Sequence, residues 1–319
     1  MMPDDNTTDF GTFYAGLSAL AGAGRYQEAL DRATAAQPRY PEDHAILVHF
    51  RAGMLARLGD AQGALALLEE ALNAGEWYTQ VFWEAPDLAS LRDLDEFHRL
   101  RALSDQRQVA AQTRARPELF VRLPEKAMEP LPVLLALHGN MHNATIEFPR
   151  WSGLLARGWL VALAQSSQIA RPKRYVWTDH RKAERELKAH YEALRDEYPI
   201  EAGHFVAGGF SMGAELALTL GLRGVLPADG FIAVAPAGPL LREPDEIDRL
   251  LGEPLPSGLR GVMVIGTDDP MHDLITALAD RLQAAGLPLH LWVVDGLGHD
   301  YPPDFADRLP ELIAFLVEG

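Results

Sequence analysis

The stretch Phe205-Val206-Ala207-Gly208-Gly209-Phe210-Ser211-Met212-Gly213-Ala214-Glu215-Leu216-Ala217-Leu218-Thr219-Leu220 decides how this chain is read. Phe205 to Gly208, after His204, predict a buried strand, and the run from Ala214 predicts a helix with an apolar face. Between them, Gly209-Phe210-Ser211-Met212-Gly213 is a G-x-S-x-G turn, which becomes a nucleophile elbow when a strand and a helix flank it. A serine in that turn adopts a strained backbone, and residues two positions away must be small for the segments to pass. Gly209 and Gly213 meet that need, and Gly208 adds slack. The hydroxyl then stands at the carboxyl edge of a sheet, above a helix N-terminus that favours negative charge.

An elbow of this kind needs an acid and then a histidine later in the chain. Gly261-Val262-Met263-Val264-Ile265-Gly266 is an apolar strand that runs into Thr267-Asp268-Asp269-Pro270. Leu289-His290-Leu291-Trp292-Val293-Val294 is the next, and Asp295-Gly296-Leu297-Gly298-His299 follows it. Both candidates thus fall just past the carboxyl ends of strands, where open α/β sheets bind ligands. Upstream, Val133 to Leu137 is a strand ending in His138-Gly139-Asn140-Met141, a small turn able to aim a backbone N–H at a developing oxyanion.

These four loops together resemble the α/β-hydrolases. The region from about Arg116 to Gly319 is most similar to the carboxylesterase/phospholipase-like and dienelactone-hydrolase-like branches, on His138-Gly139, Gly208 to Gly213, Gly266 to Pro270 and Gly298-His299. The chain departs from the pattern at one point. Many relatives carry a glycine two residues after the His-Gly pair, whereas here Asn140-Met141-His142 follows.

The resemblance implies a serine esterase. Ser211 would attack an acyl carbon, His299 would move the proton, and Asp269 would orient the imidazole. The backbone N–H of Met212 and that of Asn140 would hold the oxyanion. Asp269 is chosen over Asp268, Asp273 and Asp295 because relatives carry the acid immediately before this proline. His272 and His142 compete for the base, but His299 alone follows the last strand in a Gly-x-Gly-His turn. Met141, Trp177 and Met271 are expected to line the substrate pocket, with Met212 adding to an apolar wall. His138 reads as a loop-organising residue. The four-residue spacing of His138 and His142 is metal-like, but it falls in a turn rather than on a helix face, so no metal is expected. No cofactor is needed. A serine peptidase or amidase would use the same groups, and a repeat-mediated binding protein with a degenerate hydrolase domain would have no need for all three side chains.

Composition narrows the partners. The 319 residues carry 29 Lys+Arg against 45 Asp+Glu, a net charge of −16, which disfavours nucleic acid and anionic membranes. There are no cysteines, which excludes disulfides and thiolate chemistry. Met1-Met2-Pro3-Asp4-Asp5 lacks the features of a signal peptide, and no apolar run reaches membrane-span length, so a cytoplasmic protein is expected.

Residues 1–112 have a different texture and are expected to form a separate all-α module, with 113–319 as the catalytic domain. Leu20, Ala21, Gly24, Gln27, Ala29, Leu30 and Ala36 recur at an offset of 35 as Leu55, Ala56, Gly59, Gln62, Ala64, Leu65 and Ala71. This spacing resembles tetratricopeptide helix–turn–helix repeats. A third helical pair is expected from Trp77 to Leu103, turning at Pro86-Asp87. The module offers a surface for a protein partner or self-association, although so short an array favours packing over a binding groove. The polar stretch Gln106 to Arg116 is read as the domain boundary. Beyond it, strands at Glu118, Leu131, Trp159, His204, Gly230, Gly261 and Leu289 alternate with helices at Trp151 to Arg157, Asp179 to Tyr198, Leu274 to Ala285 and Phe305 to Val317. The alternation predicts a mostly parallel sheet covered on both faces, and the resemblance makes it an α/β-hydrolase fold.

Overall fold

The computed structural model describes residues 10–317. The stretch Met1 to Asp5, from which the lack of a signal peptide is read, lies outside the described residues. The chain divides into two compact units between Arg114 and Ala115.

The first unit is all helical: α1 (Phe10–Gly22), α2 (Tyr26–Ala36), α3 (His44–Arg57), α4 (Ala61–Asn73), α5 (Gln80–Trp83) and α6 (Asp95–Arg114). The sequence repeat is also a repeat of geometry. Gly24 and Gly59 both take left-handed backbone, at φ 75° and 88°. After each, the next N–H bonds back to the preceding helix, Arg25 to Leu20 O and Asp60 to Leu55 O. This is how a helix C-terminus satisfies its last carbonyls while the chain reverses. Ala29 and Ala64 are both fully buried, since small residues let neighbouring helices approach.

One expectation is corrected here. The third helical pair is a single-turn α5, a 3₁₀ segment Pro86–Leu91 and the long α6. Most of the polar stretch from Gln106 is helix, the end of α6. Its Ala, Gln and Arg residues favour helix, and nothing breaks it until Pro117 disfavours helical backbone at Arg116. In α6 only Phe97, Leu100 and Ser104 are buried, so its second half is polar for want of a covering surface rather than for want of structure.

The second unit holds β1 (Glu118–Arg122), β2 (Leu131–Leu137), α7 (Ala144–Trp151), β3 (Leu160–Gln165), β4 (Ile169–Arg171), β5 (Arg174–Tyr175), α8 (His180–Glu197), β6 (Ile200–Phe210), α9 (Met212–Leu222), β7 (Gly230–Val234), α10 (Pro244–Gly252), β8 (Arg260–Gly266), α11 (His272–Ala284), β9 (Leu289–Val294) and α12 (Phe305–Val317). Seven strands form one sheet in the order β1-β3-β2-β6-β7-β8-β9. Only β1 is antiparallel to its neighbour. Leu134 and Ala136 of β2 enter one core, Val133, Leu135 and Leu137 the opposite one. Burial on both faces explains why the central strands read as unbroken apolar runs.

Helix α9 is buried at every position from Gly213 to Leu222, not along one face as its sequence suggests, because it contributes to both cores. Helix α10 and the small β4–β5 ribbon were not anticipated. Among the described residues, no helix is long and apolar enough to cross a membrane.

Helix α8 carries a misfit with a measurable consequence. His190 occupies the same buried stripe as Ala183, Leu187 and Leu194, and among the described residues its Nε2 has no hydrogen-bond partner. Burial pushes the imidazole from 6.5 down to about 4. The folded state therefore resists a proton that the unfolded chain accepts. This contribution to stability is intact above about pH 6.5 and is lost as pH falls toward 4, reaching about 3 kcal/mol. In urea unfolding, a His190→Leu variant should gain on the parent by about 2–3 kcal/mol between pH 7 and pH 4.5. A gap that stays constant with pH would refute the assignment.

Candidate active site

At the elbow the backbone of Ser211 lies at φ 52° and ψ −118°, left-handed for a residue with a Cβ. Such a conformation costs about 1–3 kcal/mol and persists only when its surroundings impose it. They do so here. The Ser211 N–H donates to Val234 O at 2.9 Å, and Ser211 O accepts from Ala237 N–H at 3.1 Å, tying the turn to the end of β7. A Cβ on Gly209 would lie 2.5 Å from the carbonyl carbon of Gly213, and one on Gly213 would lie 2.5 Å from both Leu137 O and His138 O. Backbone, not movable side chain, fills both spaces, so the spacing of the two glycines is obligatory.

The loops after β8 and β9 bring an acid and a histidine to that serine. His299 Nε2 lies 2.9 Å from Ser211 Oγ, and His299 Nδ1 lies 2.7 Å from Asp269 Oδ2. The Asp269 side chain is fully buried, and its other oxygen accepts the Met271 N–H at 2.7 Å. The imidazole is about one-third exposed. Asp268 is exposed instead, its Oδ1 3.4 Å from Thr267 Oγ1. Asp273 pairs with the His272 ring at 2.9 Å. Neither those two nor Asp295, whose Oδ1 lies 3.5 Å from Thr267 Oγ1, joins the Ser211–His299–Asp269 chain.

The turn after β2 forms the opposite wall. His138 is closed from solvent, and burial pushes its ring down to about 4, leaving it neutral. Its Nδ1 donates to Gly139 O at 2.8 Å, and its Nε2 accepts the Ser166 N–H at 3.2 Å. Both nitrogens are thus committed to the backbone. Met141 sits at φ 59°, at the position where the resemblance places glycine. For a side chain with a Cβ this costs roughly 1–2 kcal/mol. The Met141 N–H donates to Tyr175 O at 2.9 Å, and the Tyr175 N–H donates to His142 O at 3.0 Å, so β5 supports the strained turn.

Trp177 does not stand where it was expected. Its indole is fully buried, stacks on His138 at 4.7 Å and donates to His138 O at 2.9 Å. It therefore holds the turn and offers no face to a ligand. Met271 is also buried, with its backbone on Asp269, while Met141 and Met212 remain partly accessible.

The sequence reading missed Glu147 and Tyr301. Glu147 is 1% exposed and accepts three hydrogen bonds, from Gly139 N–H at 3.2 Å, His142 Nδ1 at 2.7 Å and Tyr301 O–H at 2.7 Å. Burial, then the Glu147 charge, raises Tyr301 well above the usual phenol range, so the tyrosine keeps its proton and donates. A signal did exist. Ala144, Glu147 and Trp151 follow the Asn143 cap at helical spacing, and an acid on a buried stripe needs a reason.

The sheet order, the elbow and the three loops decide the architecture. The second unit has the α/β-hydrolase fold. Residues 16–112 match a family described as the N-terminal domain of A/B hydrolase-like proteins. That match supports a hydrolase-associated helical domain, while the tetratricopeptide likeness rests on the repeat alone. Among solved structures, an uncharacterized protein from Bacillus cereus ATCC 10987 is 25% identical and covers 98% of this chain and 99% of its own, at a TM-score of 0.54. A thermophilic esterase of Thermogutta terrifontis is 17% identical over 63% of this chain and 87% of its own, at 0.50. The Bacillus cereus carboxylesterase is 18% identical over 65% and 97%, also at 0.50. A search of curated proteins returned no match.

Proposed function

We propose that this protein is a serine hydrolase that cleaves carboxylic esters of small or medium acyl chains through an acyl-enzyme. The observation that carries the reading is the hydrogen-bonded chain Ser211 Oγ–His299–Asp269 on a strained elbow. The α/β-hydrolase fold shared with two proteins named as esterases supports it.

In this mechanism Ser211 Oγ attacks the acyl carbon while His299 Nε2 takes its proton. Asp269 keeps the Nδ1 proton in place and stabilises the imidazolium. His299 then protonates the leaving alcohol, and water deacylates the enzyme by the same path in reverse.

Two backbone donors suit the oxyanion. In the turn after β2, the N–H of Gly139 is held by Glu147, that of Met141 by Tyr175 and that of His142 by Gly139. Among the described residues, Asn140 N–H alone of the four is left without a partner. At the elbow, Met212 is the first residue of α9, where helical N–H groups have no internal acceptor. Removing one such donor typically costs about 2.7–4 kcal/mol of transition-state stabilisation.

A fluorophosphonate probe, followed by a panel of p-nitrophenyl esters and peptide amides, tests the proposal. Labelling at Ser211 with ester turnover is expected. Labelling with amide turnover alone would convert the reading to a peptidase, and absence of both would end it.

A further inference from the structure

The proposed reaction has no step for Glu147, yet this buried acid is shared by both loops that flank Ser211. Its Oε1 accepts from Gly139 N–H and His142 Nδ1, on either side of Asn140 and Met141. Its Oε2 accepts from Tyr301, two residues beyond His299. We infer that Glu147 is a positioning residue that fixes the oxyanion turn against the histidine loop through His142 and Tyr301. The inference rests on the serine-hydrolase reading above and deepens it.

Three observations support that role. First, the turn needs outside support. Met141 replaces the expected glycine yet keeps left-handed backbone, so the conformation is imposed by contacts rather than chosen locally. Glu147 supplies contacts to the residue after Met141 and to the residue before Asn140. Second, the carboxylate occupies the Gly139 N–H, which selects Asn140 N–H as the donor left for a ligand. Third, the same groups converge on the elbow through one ring. Phe210, adjacent to Ser211, lies 5.8 Å from the His142 ring, 5.2 Å from the His299 ring and 4.9 Å from the Tyr301 ring. A shift of either loop would therefore be felt at the serine and at the base together.

A positioning role differs from a filling one in what it does to the reaction. Correct placement of Asn140 N–H matters most when negative charge has developed on the substrate oxygen, so losing it should lower kcat and leave KM nearly unchanged. Two variants test this with little change of shape. In Glu147→Met the side chain keeps nearly the same length and volume while its hydrogen bonds to Gly139, His142 and Tyr301 are lost. In Tyr301→Phe the ring remains against Phe210, and only the hydroxyl is removed.

Tyr301→Phe should lose about 10- to 100-fold in kcat on a p-nitrophenyl ester, the size of one hydrogen bond to a carboxylate, and Glu147→Met at least as much, each with KM within about twofold. Binding of a trifluoromethyl ketone, which mimics the oxyanion, should weaken by the same factor as kcat/KM. Because both changes break the link between Glu147 and Tyr301, the double variant should fall little below the worse single one. The inference is overturned if folded Tyr301→Phe keeps parental kcat, if KM alone rises, or if the two losses multiply. Failure of the hydrolase reading would look different, since the parent itself would then show no turnover dependent on Ser211.

Discussion

Replacing Ser211 by alanine should reduce ester turnover by about a million-fold in kcat and abolish fluorophosphonate labelling, while the protein stays folded. The size follows from the proposed mechanism, in which serine, histidine and acid would act as a unit and loss of the nucleophile would remove the whole covalent route. What remains would be the weak catalysis of the oxyanion donors and binding alone. The fold should tolerate the change for structural reasons. Among the described residues the Ser211 hydroxyl has one hydrogen-bond partner, His299 Nε2, and that ring is about one-third exposed, so water can replace the lost contact. The strained backbone of residue 211 is held by Val234 O and Ala237 N–H, which alanine leaves untouched. His299→Ala should behave alike in turnover. Ester hydrolysis by folded Ser211→Ala at near the parental rate would show that the elbow is only a glycine-rich turn.

The elbow was legible because its physics is local. Gly209 and Gly213 are demanded by backbone atoms that would occupy their Cβ positions, and such a demand leaves a fixed spacing in the sequence. The loops of Asp269 and His299 were legible for a related reason: strands buried on both faces read as apolar runs, so their carboxyl ends can be counted along the chain. Other parts depend on partners far away in sequence. The choice between Trp177 as pocket wall and as core residue turned on His138, 39 positions earlier. Glu147 was hidden because its helix was expected to begin at Trp151, which put the acid in a loop, where a charge raises no question. Helix α10 opens with Pro244, a known helix start, but its charged residues resemble those of a solvated loop. The long loop from Ser166 concealed β4 and β5 because strands of three and two residues carry too little pattern to be read. In the helical unit the offset of 35 was visible because the Gly-centred reversals at Gly24 and Gly59 carry matching buried alanines, Ala29 and Ala64, after them. The third pair failed because Pro86 starts a 3₁₀ segment instead of joining two full helices.

Asp269→Asn should cost about 10⁴-fold in kcat/KM, whereas Asp268→Asn should stay within a few-fold of the parent. The contrast follows from the hydrogen bonds on the two oxygens of Asp269. Oδ1 accepts the buried Met271 N–H, and Oδ2 faces His299 Nδ1. An asparagine would keep its oxygen on Met271, since turning the amide over would set two donors against each other in a site closed from solvent. Its NH₂ would then face Nδ1 and force that nitrogen to accept. The proton would move to Nε2, the atom that must receive the Ser211 proton, and the base would be blocked by tautomer rather than by loss of shape. Asp268 has no such leverage, because its side chain is exposed and its one hydrogen bond among the described residues is accepted from Thr267 Oγ1. The comparison is therefore made between adjacent carboxylates on one loop, with thermal unfolding confirming that both variants fold. Equal losses would mean that the two acids share the role. A larger loss at Asp268 would transfer it, and would require the loop after β8 to adopt a different conformation during turnover.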